Sequence, residues 1–135
     1  MKLRLFISII FLSTVQSLTA QDSLKISYPL VMSFQSQCCG VPTETSLHSF
    51  IAAFKKKYKI KKISAIHIGP MGREGEYYLV FKLTELNKKQ KKDFISKIKK
   101  IKKLPDDRGT FSFTEKMEMG PGSLPQRAKS EEVNF

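Results

Sequence analysis

The chain has 135 residues, with 41% hydrophobic and 27% charged residues. That composition supports one folded domain and excludes a two-domain cofactor enzyme, a disordered chain and, with two cysteines, a disulfide-dense scaffold. The formal net charge is +12, so acidic macromolecules are the natural partners to consider.

The first twenty residues read as an address. Lys2 and Arg4 precede the apolar run Leu5 to Leu12, and small or polar residues lead to Ala20. A basic start, a short apolar core and a small-residue exit make a secretory signal peptide over 1–20, cleaved after Ala20. The expected destination is the periplasm or the outside medium. The run is too short for a stable bilayer anchor, and no later segment is apolar enough to span, so no transmembrane anchor is expected after cleavage.

Residues 21–119 read as a single domain. Ile26 to Ser36 alternates, with Leu30, Met32 and Phe34 on one face and Ser33 and Gln35 on the other, which predicts a strand. Cys38-Cys39-Gly40-Val41-Pro42 breaks it. Thr43 is then placed to cap a helix, with Glu44 in its first turn. Leu47, Phe50, Ile51, Phe54 and Tyr58 supply its apolar stripe.

Ile63, Ile66 and Ile68 predict a second strand. The turn-forming run Gly69 to Gly75 leads to an alternating strand through Tyr77, Leu79, Phe81 and Leu83, a hairpin signature. Asn87 followed by Gln90 predicts a capping box opening a second helix, which carries Phe94, Ile95, Ile98, Ile101 and Leu104 and ends before Pro105. Asp106 and Asp107 beside Gly109 lack calcium-loop spacing and read as turn chemistry. Phe111, Phe113 and Met117 alternate in a fourth strand. Residues 120–135, rich in Pro, Gly and charge, read as a flexible tail.

The order β-α-β-β-α-β is the ferredoxin-like pattern. The expected fold class is therefore an α+β ferredoxin-like sandwich, with a four-stranded antiparallel sheet and both helices on one face.

Fifteen of the 24 basic residues cluster between Lys55 and Lys62 and between Lys88 and Lys103. In the expected fold the outer faces of the helices are neighbours, so these lysines would form one broad basic surface, with salt-sensitive affinity for anions. Lys55, Lys56, Lys59, Lys88, Lys92, Lys99 and Lys103 are its candidate contacts, with Arg73 on the hairpin tip. A solvated helix face explains the same lysines without a partner. Lysines outnumber arginines 20 to 4, and no aromatic RNA-binding signature is present, which argues against specific nucleic-acid recognition.

Cys38 and Cys39 are the sharpest chemical feature. Neighbouring thiolates near a helix start suit a soft metal such as Cu(I) or Zn²⁺, with Met71 as the candidate third ligand and Met117, Met119 and His67 as further ones. Core packing, an intermolecular bridge and thiol redox chemistry are the other readings. His48 and His67 show no spacing that assembles a nucleophile, base and orienting group.

The element order, with cysteines between the first strand and first helix, resembles heavy-metal-associated domains of the copper-chaperone type over about Ser27 to Met119. Those domains carry Cys-x-x-Cys where this chain has Cys38-Cys39 without a spacer. The resemblance implies soft-metal binding in the cell envelope. The residues themselves favour a non-enzymatic, exported binding or adaptor domain that holds an acidic macromolecule or protein through its basic helical face.

Overall fold

The computed structural model describes residues 25–101, 108–120 and 122–135. The signal segment 1–20, Lys103, Leu104, Pro105, Asp106 and Asp107 lie outside the described residues. Seven elements follow in chain order: β1 (Ile26–Ser36), α1 (Thr45–Tyr58), β2 (Ser64–Gly69), β3 (Tyr77–Phe81), α2 (Lys88–Ile98), β4 (Gly109–Met119) and β5 (Lys129–Asn134). They form an α+β fold with one antiparallel five-stranded sheet, in the order β4-β1-β3-β2-β5.

The fifth strand corrects the expected four-stranded ferredoxin-like sandwich. β5 pairs with β2 from Ser64 opposite Asn134 to Gly69 opposite Lys129. It also corrects the expected loose tail over 120–135. β4 and β5 lie at opposite edges, so their connection must cross a sheet on the order of 20 Å wide. Leu124 and Ala128 of that connection pack on the sheet face away from the helices, beside Val31, Ile68, Val80 and Met119. The Arg127 guanidinium donates to the Met71 carbonyl over 3.2 Å.

The main core lies between the other face and the two helices. Leu30, Met32 and Phe34 of β1 and Tyr77, Leu79 and Phe81 of β3 meet Leu47, Ile51 and Phe54 of α1 and Phe94 and Ile98 of α2. Phe94 is fully buried, with its ring 5.3 Å from Phe50, 5.1 Å from Phe54 and 5.7 Å from Phe81. Phe135, next after β5, packs on the same core and stacks on Phe81 at 6.1 Å.

Alternation fails at one paired position. Pro29 has no amide hydrogen to give the ladder, and its partner position Lys116 takes a left-handed φ of 52°. Register is kept on both sides of this break, but the faces exchange. Leu30, Phe111 and Phe113 face the helices, while Tyr28, Met117 and Met119 pack on the other face. The expected single face for Phe111, Phe113 and Met117 is thereby corrected.

Helix ends also differ from expectation. Glu44, not Thr43, occupies the N-cap position of α1, without a side-chain capping bond. The α2 capping box is present: the Gln90 amide donates to Asn87 Oδ1 and the Asn87 amide to Gln90 Oε1, each over 2.9 Å. α2 stops at Ile98, where bonds from the amides of Lys100 and Ile101 to the carbonyls of Lys97 and Ile98 tighten the last turn. β3 stops at Phe81, and Leu83 turns left-handed with φ 54° while staying buried.

Candidate functional site

The helices meet around Asp93. Tyr58, the last residue of α1, donates its hydroxyl to Asp93 Oδ2 over 2.6 Å. Lys97, one turn further along α2, reaches the same oxygen over 2.8 Å, and Lys57 reaches it over 3.4 Å. The Lys97 ammonium and the Tyr58 hydroxyl hold the Asp93 carboxyl down at about 2. The bond to Asp93 in turn pushes the Tyr58 phenol up.

Above this junction lies an open cleft between the helices, lined by Lys57, Lys89 and Lys92 with Tyr58, Asn87, Gln90, Asp93 and Ser96. Its lining has three ammonium groups and one carboxylate, and that carboxylate already binds two lysines and a tyrosine. The cleft lining therefore carries net positive charge beside neutral polar side chains, an arrangement that suits an anion.

The structure separates the candidate lysines by role. Lys92 lines the cleft. Lys88 opens α2 and is exposed, as are Lys56 and Lys59 at the end of α1. Lys59 also ends that helix, with a left-handed φ of 53°. Lys55 is half-buried, and its ammonium donates to the Phe135 main-chain oxygen over 2.6 Å. Lys99 pairs with Glu115 of β4. Arg73 lies exposed on the β2–β3 hairpin. Lys57 and Lys89, which are not among the candidate contacts, are brought to the cleft because the helices pack through Phe50, Phe54 and Phe94. The local signal at Asp93 was its pairing with Lys97 four residues on; its Tyr58 partner, 35 residues away, had none.

The cysteines form a second feature. β1 runs into a bend held by the Gln37 and Cys38 amides, which donate to the Arg108 carbonyl over 2.8 and 3.4 Å. Cys38 and Cys39 are both exposed, with their sulfurs 2.6 Å apart. The hydrogen bond to Cys38 pushes the Cys39 thiol up; Arg108 opposes that shift and Glu74 adds to it. Met71 packs with the Val31–Val80 cluster, as do Met117 and Met119 on the same face. His67 instead lies against the Tyr77 ring, with centroids 4.6 Å apart and planes tilted by 31°. Among the described residues no group of three or more His, Cys, Asp and Glu side chains converges as a metal cage.

A third polar group bridges α1 to the sheet. Tyr77 donates its hydroxyl to Glu44, whose other oxygen lies 3.2 Å from His48 Nε2. Burial, with help from the Glu44 carboxylate, pushes the Tyr77 phenol far up, so this hydroxyl stays protonated and acts as a brace.

Compared with protein-family models, curated proteins and solved structures, the chain gives no significant match. Among the described residues no helix is long and apolar enough to cross a membrane.

Proposed function

We propose that this is an exported, non-enzymatic binding protein whose basic helical face holds an acidic macromolecule or protein. The observation that carries the reading is the cleft lined by Lys57, Lys89 and Lys92, where the one carboxylate is already engaged by cations. An approaching polyanion meets ammonium groups on flexible stems and the polar groups of Tyr58, Asn87, Gln90 and Ser96. Attraction would be long-range and weakly selective, as lysine favours point-charge contacts over planar recognition. Export rests on the signal pattern of residues 1–20.

The test is binding of the full mature chain to a sulfated polysaccharide and to an acidic polypeptide across a salt series. Affinity should fall steeply with salt. The Lys89→Gln, Lys92→Gln double variant should bind several-fold more weakly and with a shallower salt dependence. Equal binding by that variant, or salt-independent binding, overturns the reading.

A second reading has its own support. Two exposed sulfurs at close range favour a soft ion such as Cu(I) or Zn²⁺. Native mass spectrometry after loading with either metal tests it. A stoichiometric adduct lost in both Cys38→Ser and Cys39→Ser supports metal binding, and full uptake by the double variant removes it.

A further inference from the structure

We propose that Cys38 and Cys39 are a reversible redox pair, which closes to a disulfide by exchange with small-molecule disulfides. Three observations point there. The sulfurs already face one another at 2.6 Å, so closure needs little side-chain movement. Both residues are exposed, so a disulfide of modest size reaches either sulfur. The bend that carries them is anchored by the Gln37 and Cys38 amides to the Arg108 carbonyl just before β4, which fixes the backbone beside the pair.

The chain geometry also makes the bond easy to reverse. Adjacent α-carbons across a trans peptide are only about 3.8 Å apart. Ordinary disulfides join α-carbons about 4.4–6.8 Å apart, and departures store strain that makes the bond more reducible. Such a bond suits a switch better than a permanent staple.

The exchange balances as follows. One cysteine, as thiolate, attacks a small disulfide RSSR; a protein–S–SR bond forms and RS⁻ leaves. The neighbouring thiol gives its proton to solvent, and its sulfur attacks the protein-side sulfur of the mixed disulfide. The Cys38–Cys39 bond forms and the second RS⁻ leaves. Two protein thiols are oxidised, one RSSR is reduced, and the two released protons convert 2 RS⁻ to 2 RSH. Excess RSH drives the same steps backwards.

The test uses the full mature chain, reduced, freed of metal by a chelator and equilibrated in buffers of oxidised and reduced glutathione. Samples are quenched with a thiol alkylator and weighed intact. The expected result is a monomer that loses both alkylation adducts together without gaining glutathione, and recovers both when reduced glutathione is in excess. Cys38→Ser and Cys39→Ser should each keep a glutathione adduct instead, because no neighbouring sulfur displaces it. Three outcomes overturn the proposal: a wild-type chain that stays doubly alkylated, one that accumulates glutathione adducts, and one that forms covalent dimers. Both side chains are exposed, so the serine variants should unfold at the wild-type denaturant midpoint. The wild-type result decides the proposal even where a variant does not.

Discussion

The Tyr58 hydroxyl sits 2.6 Å from Asp93 Oδ2 and ties the end of α1 to the middle of α2. One carboxylate thus organises both helices and the lysines around them. Without it, Lys57 and Lys97 would face one another with no shared anion.

That arrangement predicts a pH signature. The folded-state value for Asp93 is about 2, below the unfolded value of about 4. Its contribution to stability should be fully present above about pH 4 and fade as pH falls towards 2. Asp93→Asn should lower the melting temperature by a few degrees at most at neutral pH, because exposed pairs contribute little. The difference from wild type should vanish in acid. Carboxyl-carbon NMR titration of Asp93 checks the midpoint directly, and a midpoint at the ordinary carboxylate value would contradict the arrangement.

Phe94 is the central ring of the helix–sheet core. It is fully buried against Phe50, Phe54 and Phe81. Phe94→Ala should cost about 3–5 kcal/mol, as lost transfer energy and a cavity add. Urea denaturation followed by circular dichroism measures it. A loss below about 1 kcal/mol would mean that the core is not packed as described.

Gly109 begins β4 where that strand passes very close to β1. An added methyl would lie 2.2 Å from the Gln35 carbonyl oxygen and 2.8 Å from Pro42 Cδ. Backbone cannot yield cheaply there, so Gly109→Ala should cost about 1–3 kcal/mol by overpacking. The same urea experiment reads it, and an unchanged midpoint would remove the close approach.

β5 should contribute through its end more than its middle. Phe135 rests on Phe81, and its main-chain groups pair with those of Ile63. Phe135→Ala should cost about 1–2 kcal/mol, less than a fully buried ring, because the site is half-exposed. It should also speed amide exchange along β5, read by hydrogen-exchange NMR. Unaltered exchange from Lys129 to Asn134 would show that the strand is held independently of this ring.

β5 also shows why part of the fold was hidden. Lys129-Ser130-Glu131-Glu132-Val133-Asn134 has one apolar residue, so it carries neither alternation nor a helical stripe. Its pairing with β2 is made by backbone groups, which every sequence possesses. The exchange of faces at Pro29 and Lys116 was hidden for a related reason. Proline announces a missing donor, but only its partner strand decides how the chain accommodates it. Of the candidate site, the abundance of lysine was legible, whereas the grouping of Lys57, Lys89 and Lys92 around Asp93 was not.

What the sequence alone determined is local. Alternation placed the strand at Ile26 to Ser36, helical spacing placed Leu47, Ile51 and Phe54 on one stripe, and Asn87 with Gln90 marked a helix start. Each of these depends on residues a few positions apart, where periodicity and capping chemistry act. The tertiary structure alone decided the fifth strand, the connection crossing beneath the sheet, the two faces of β4 and the carboxylate shared between helices. Those features depend on groups distant in the chain that meet only after the core has packed, and no local pattern encodes such a meeting.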